Sequence, residues 1–214
     1  MKYLQGETLD GYVARKDPQR EGLPLTQVVS ILARVAVALD YAHENDVIHR
    51  DIKPGNIFLV KEKDKIQVQV IDFGLADEIR SSLVRTSQVQ IEISGTRPYM
   101  SPEQWRGRAQ SAATDQYALA VVAHELLAGR LPFMGNDIGM LRMAVMHDAP
   151  EQIETISKSA NDVLQKALAK DATNRFPTCR KFISALNATW TSVEQEAPPQ
   201  SDLEIAPPAP SELP

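Results

Sequence analysis

The chain has 214 residues, enough for one large domain or two small ones and for a sizeable buried core. Its 43% hydrophobic and 24% charged content is ordinary for a globular protein, and its formal charge of −5 is concentrated at one end. Glu194, Glu196, Asp202, Glu204 and Glu212 lie in a final stretch without Lys or Arg, and the rest of the chain balances 23 acids against 23 bases. That balance gives no basis for a nucleic-acid partner. The single cysteine, Cys179, excludes an intramolecular disulfide and a Cys-based zinc site, and it fits a reducing compartment. No apolar run approaches the ~20 residues that span a bilayer. Met1–Glu7 lacks the apolar core of a signal peptide, so a cytoplasmic location without a membrane partner is expected.

Residues 1–4 read as strand-like, with Gly6 and Gly11 breaking the pattern and Asp17–Pro24 forming a polar loop. From Thr26 a helix is expected, because Val28, Ile31, Leu32, Val35, Leu39 and Ala42 recur at helical spacing. It ends at Glu44-Asn45-Asp46, ahead of a short strand at Val47-Ile48. Two apolar segments, Ile57–Val60 and Val68–Ile71, flank the charged run Lys61–Lys65 and read as a β-hairpin. Residues 75–98 are polar and aperiodic, a length of loop that is usually functional.

The stretch from about Thr114 to Ala128 is apolar almost all round and should be a central buried helix, stopped by Gly129. Three further helices are expected, over Asp137–His147, Ala160–Ala169 and Thr178–Ala188, the last capped by Thr178. Beyond about Val193 the chain carries six of its 14 prolines and reads as a disordered acidic linker.

A hairpin brings its ends together, so Asn56 and Asp72 should face each other across its mouth, with Asp51 and Lys53 just upstream in the same loop. Two carboxylates, an amide and a lysine at one point are the equipment for a metal-bound phosphate and a nearby proton acceptor. The motifs that carry these residues are His49-Arg50-Asp51-Ile52-Lys53-Pro54-Gly55-Asn56, then Asp72-Phe73-Gly74, then Ser101-Pro102-Glu103. In this order and spacing they resemble the signature set of eukaryotic-type (Hanks-type) serine/threonine protein kinases, with features similar to bacterial members. The likeness covers roughly residues 1–188 and extends to Gly95–Met100, Asp115–Leu119, Gly129–Phe133 and Arg175.

The resemblance implies a mainly α fold with small β-hairpins (α+β), the C-terminal lobe of a kinase over residues 1–192, followed by the tail at 193–214. It implies ATP and Mg²⁺ (or Mn²⁺) as cofactors and a protein substrate. Asp51 would accept the proton of the substrate hydroxyl, Lys53 would neutralise the transferring phosphoryl group, and Asn56 and Asp72 would hold the metal. Lys2 and Leu4 would pair with adenine, Glu7 would reach the ribose and Phe58 would floor the base. His49 is expected to pack on Phe73, Asp115 to cap the catalytic loop, and Glu103 with Arg175 to form a buried ion pair. Arg50 beside Asp51 is the pattern of kinases whose activation loop folds on phosphorylation, with Thr86, Ser87 and Ser94 as candidate sites. Thr96 would contact Asp51 and Lys53.

Three parts of such a kinase have no counterpart here: the glycine-rich loop, the strand lysine and its helix glutamate. Val13-Ala14-Arg15-Lys16 imitates the lysine motif but lies after the hinge, in the wrong topological place. Aligned by order, Met1 falls at the gatekeeper position and Lys2-Tyr3-Leu4 at the hinge, so the N-lobe is expected to be supplied elsewhere and the isolated chain to be weak or inactive. The alternative is a non-catalytic kinase-like docking module. The four polar residues at 51, 53, 56 and 72 argue against it. A small-molecule phosphotransferase is disfavoured by the long 75–98 segment and Ser-Pro-Glu, which resemble a protein-substrate platform.

Overall fold

The computed structural model describes residues 6–62, 65–73 and 97–196. Three antiparallel strands form one small sheet in the order β1 (Gly6–Thr8), β2 (Ile57–Glu62) and β3 (Lys65–Val70). Thr8 pairs with Phe58, and Ile57 with Val70. The helices are α1 (Leu9–Lys16), α2 (Leu25–Glu44), α3 (Pro102–Trp105), α4 (Ala112–Ala128), α5 (Ile138–His147), α6 (Lys158–Ala167) and α7 (Cys179–Glu196). Short 3₁₀ turns occupy Pro54–Asn56, Arg97–Tyr99 and Ala172–Asn174. The expected helix-dominated lobe with a small hairpin is the fold observed.

α4 is the axis of the core. Its residues from Thr114 to Ala128 are buried except Glu125, and α2, α6 and α7 pack around it. A helix apolar on every side can only be stable when covered on every side. Gly129 ends it in the left-handed region at φ 68°. α2 follows from its apolar stripe, burying Val28, Ile31, Leu32, Val35 and Leu39. By length and composition α2 alone among the described helices is apolar enough to cross a membrane, which corrects the sequence estimate that no run came close. In this fold that stripe is core.

α7 is joined to α2 by a buried acid. Asp40 Oδ1 accepts from Cys179 N–H at 2.8 Å, and Oδ2 accepts from Arg180 N–H at 3.1 Å and Nε at 2.8 Å. Burial raises the Asp40 carboxyl, but Arg180 and the two N–H groups outweigh it and hold the carboxyl below its usual range. Thr178 caps the same helix end, its hydroxyl accepting from Lys181 N–H at 3.1 Å.

The segment 17–24 is bolted to the end of α4 backbone to backbone. Leu23 N–H donates to Leu126 O at 2.7 Å, and Asp17 accepts from Glu21 and Gly22 N–H at 2.9 and 2.8 Å. A Cβ on Gly22 (φ 100°) would lie 2.1 Å from Leu127 O, and one on Gly129 would lie 1.8 Å from Arg20 O. Each side of the joint contributes a glycine that lies against a backbone carbonyl of the other.

Several local expectations are corrected. Gly11 does not break the chain but sits inside α1, and Val13–Lys16 is helical, so its likeness to a strand motif has no structural counterpart. Val47 and Ile48 form no strand; Val47 N–H instead closes the end of α2 on Ala42 O. The hairpin strands run on through Lys61-Glu62 and from Lys65, with Glu62 paired to Lys65, rather than ending at Val60 and resuming at Val68. α7 continues past Ala188 to Glu196, taking in residues 193–196. The candidate residues Lys2, Leu4, Gly74, Thr86, Ser87, Ser94, Gly95 and Thr96, and the tail from 197, lie outside the described residues.

Candidate active site

The loop between α2 and β2 is built around left-handed backbone and one buried acid. Arg50 has φ 70° and Asp72 φ 64°, a region that residues with a side chain rarely enter. Asp115, fully buried at the start of α4, compensates at Arg50: Oδ1 accepts from Arg50 N–H at 2.7 Å and Oδ2 from His49 N–H at 2.8 Å. His43 Nε2 lies 2.8 Å from the same Oδ2. Gln104 Nε2 donates to Arg50 O at 2.9 Å, so both backbone polar groups of Arg50 are held.

His49 ties the loop to the far strand. Asp51 N–H donates to His49 Nδ1 at 3.3 Å, which assigns the proton to Nε2, and Nε2 in turn donates to Ile71 O at 2.8 Å. Its ring meets Phe73 edge-on with centroids 4.6 Å apart. Ile71 N–H donates to Asn56 O at 3.0 Å, closing the hairpin mouth beside Asp72. Asn56 and Asp72 are thus brought to the same end of the hairpin, and His49 is a structural clamp rather than a base.

At the centre, Asp51 is asymmetric. Lys53 Nζ and Asn56 Nδ2 both reach Oδ2 at 3.0 Å, and Asn56 Nδ2 also donates to Asp51 O at 2.7 Å. Oδ1 is buried and has no donor among the described residues. A buried acceptor without a partner costs roughly 1–3 kcal/mol. With Asn56 Nδ2 committed to Asp51, its amide oxygen has no donor among the described residues, and the Asp72 carboxylate is exposed. Two hard oxygen ligands at one hairpin end suit a small divalent cation.

Glu7 stands on β1, but Arg15 engages its carboxylate in an ion pair. Phe58 is half-buried on the face of β2 opposite Ile57 and Leu59, against Gly6. Further from the centre, Glu103 and Arg175 form the expected ion pair, bidentate at 2.8 and 2.9 Å. Burial raises the Glu103 carboxyl, but Arg175 and the Thr114 hydroxyl outweigh it, so it sits below the ordinary range. Ser101, where the motif more often has alanine, caps α3 in a reciprocal box with Gln104. Asp40, His43 and Cys179 bring ligand atoms within 4.8 Å of one another. Asp40 and His43 already hold α7 and Asp115, and burial pushes the Cys179 thiol well up, so the cluster is a packed joint.

Sequence reasoning missed a cavity of about 310 Å³ beside the catalytic loop, lined by Asp10, Arg20, Lys53, Tyr99 and Glu125 among others. Tyr99 OH donates to Glu125 Oε2 at 2.6 Å, and Arg20 lies 3.6 Å from Oε1. Burial raises the Glu125 carboxyl, against the opposing pull of Tyr99 and Arg20. An acid in the apolar run Val122–Leu127 was the available signal.

The loop thus presents a carboxylate with one oxygen anchored and the other without a donor among the described residues, near two further oxygens able to bind a cation. The family follows from comparison. Residues 1–190 match the protein kinase domain. The chain is 34% identical over 214 residues to the serine/threonine-protein kinase PknA of Corynebacterium glutamicum, covering 99% of this chain and 43% of that one. It is 37% identical over 195 residues to Pkn1 of Myxococcus xanthus, covering 87% and 26%. The crystal structure of the Mycobacterium tuberculosis PknI kinase domain superposes with a TM-score of 0.63 at 30% identity, covering 89% of this chain and 65% of that one. The chain belongs to the protein kinase domain family, among relatives of the bacterial serine/threonine type. It spans between about a quarter and less than half of the length of these curated relatives.

Proposed function

We propose that this chain is the C-terminal lobe of a serine/threonine protein kinase and supplies its phosphotransfer floor, the lobe extending to the end of α7 at Glu196 and the residues from 197 being a linker. The observation that carries the reading is the buried Oδ1 of Asp51, without a donor among the described residues, beside an Oδ2 fixed by Lys53 and Asn56. A Ser or Thr hydroxyl of a protein substrate donates to Oδ1. As its oxygen bonds to the γ-phosphorus of ATP, the bond from that phosphorus to the β-phosphate bridge oxygen breaks and the hydroxyl proton passes to Asp51. Lys53, already at the carboxylate, offers its ammonium to the charge that develops on the phosphoryl oxygens. Asn56 and Asp72 would hold Mg²⁺ or Mn²⁺, which supplies charge neutralisation at the phosphates. Anchoring Oδ2 keeps Oδ1 aimed without reorganisation during the reaction.

Adenine contacts from Lys2 and Leu4, and a base floor from Phe58, belong to this reading. So does a ribose contact from Glu7, which would require its release from Arg15. The glycine-rich loop and strand lysine would come from an N-lobe outside this sequence. The test is transfer from ATP–Mg²⁺ to a generic protein such as casein, with this chain joined to the N-lobe of a bacterial relative. Asp51→Asn should lower the rate at least ~10²-fold while leaving the circular dichroism spectrum unchanged. No transfer by the joined protein, despite native folding, would favour the docking-module reading instead.

A further inference from the structure

At the end of α2 remote from the catalytic loop lies an apolar groove of about 590 Å³, walled by Leu23, Leu25, Leu127, Ile156 and Trp190. Such a volume is that of a ligand or peptide site. Trp190 remains 41% exposed on it, an expensive face to leave in water for a residue of this size. His43, at the other end of the 20-residue α2, meets Asp115 and the loop. By helical rise that end is roughly 28 Å away, so the groove is separate from the metal-competent hairpin.

We infer that the groove is the docking site of the chain's own C-terminal segment, with Leu203 and Ile205 as its anchors. The helix that carries Trp190 is the one from which that segment leaves. Glu196 is six residues past Trp190, about 9 Å along the helix. Seven more residues to Leu203 reach up to ~24 Å, ample for the return. Asp202-Leu203-Glu204-Ile205 alternates acid and aliphatic. In extended backbone, alternate side chains point to opposite faces, so both aliphatics face the groove while both acids face outward. Pro-Pro pairs at 198–199 and 207–208 bracket this stretch and favour an extended chain, which lowers the entropy lost on docking.

One side of the rim favours acids: Ser157 lines the groove and caps α6, whose first turn carries the exposed Lys158, itself ion-paired with Asp162, while the acid Glu21 lines another part of the groove. Outward acids beside that turn are favoured by the helix dipole and by the lysine. Leu203 and Ile205 are the only large aliphatics between Val193 and Leu213, so the segment has one register in which to bind.

The test uses the full 214-residue chain with Trp105→Phe, which leaves Trp190 as the sole tryptophan reporter. Docking takes the 41% exposed face out of water, so acrylamide quenching should be at least ~2-fold weaker than in the same chain carrying L203D and I205D. The substituted positions lie outside the described residues, and unchanged helical circular dichroism checks the fold. Equal quenching in both chains at every protein concentration overturns the assignment. Protection that survives L203D/I205D and fades on dilution also overturns it, and gives the groove to a second copy of the chain. No outcome depends on phosphoryl transfer, so this inference can fail while the kinase reading stands, and the reverse.

Discussion

At Asp115 one buried carboxylate carries two backbone N–H groups and a histidine ring, and the strained φ of Arg50 depends on them. Truncation would strand those donors where water does not reach, at roughly 1–3 kcal/mol each. Asp115→Ala should therefore lose about 2–5 kcal/mol in urea unfolding, and Asp115→Asn less, because the amide oxygen still accepts from one N–H. A loss under 1 kcal/mol for Asp115→Ala would show that the loop does not depend on this acid. The capping role of Asp115 was legible in the sequence through the kinase motif. Gln104 was not, because an amide that serves a distant peptide carbonyl leaves no periodicity or spacing to read. Nor was the partner of Glu7 legible: its place in the family order suggested a sugar contact, and Arg15, eight residues on, engages its carboxylate.

Among the elements, α3 is anchored at a distance. Glu103 in its first turn grips Arg175, which also donates to Ala113 O and Ala169 O. Removing one partner of a buried pair leaves the other charge uncompensated, so Arg175→Met should cost about 3–5 kcal/mol. The pair also sets an acid limit. The folded carboxyl of Glu103 lies below its ordinary value of 4.5, so its contribution is complete above that pH and falls away as pH drops through the lower folded value. Wild-type stability should thus decline on acidification below about pH 4.5 more steeply than that of Glu103→Gln, measured by thermal unfolding across the range. Long elements such as α2 and α4 were readable because apolar periodicity over many turns leaves little ambiguity. α1 was hidden by Gly11, which the helix tolerates, and the hairpin length by charges that strands accept at their ends.

For the whole molecule, the site is a seam between a sheet and a helical body. β2 continues directly from the Asn56 turn and pairs with β1, while Asp115 reaches the same loop from α4. The motifs made this convergence legible, since chemistry fixes residue types at fixed spacings. The cavity beside Lys53 and the groove at Trp190 were not legible, because they form where distant segments fail to fill space, which no local pattern encodes. The interlocked glycines have a consequence for mutational tolerance. Along the contact between Arg20–Leu23 and Leu126–Gly129, Leu23, Leu126 and Leu127 belong to the core, whereas exposed side chains such as Glu21 can be exchanged with little effect. Gly22 and Gly129 cannot, since any Cβ meets a carbonyl at 2.1 or 1.8 Å. A saturation scan read by proteolytic survival should therefore show two loop positions as intolerant as core leucines, each Gly→Ala costing about 2–4 kcal/mol. Such a map would be misread as function by anyone who equates an invariant loop glycine with catalysis; here it marks the hinge pin of the scaffold.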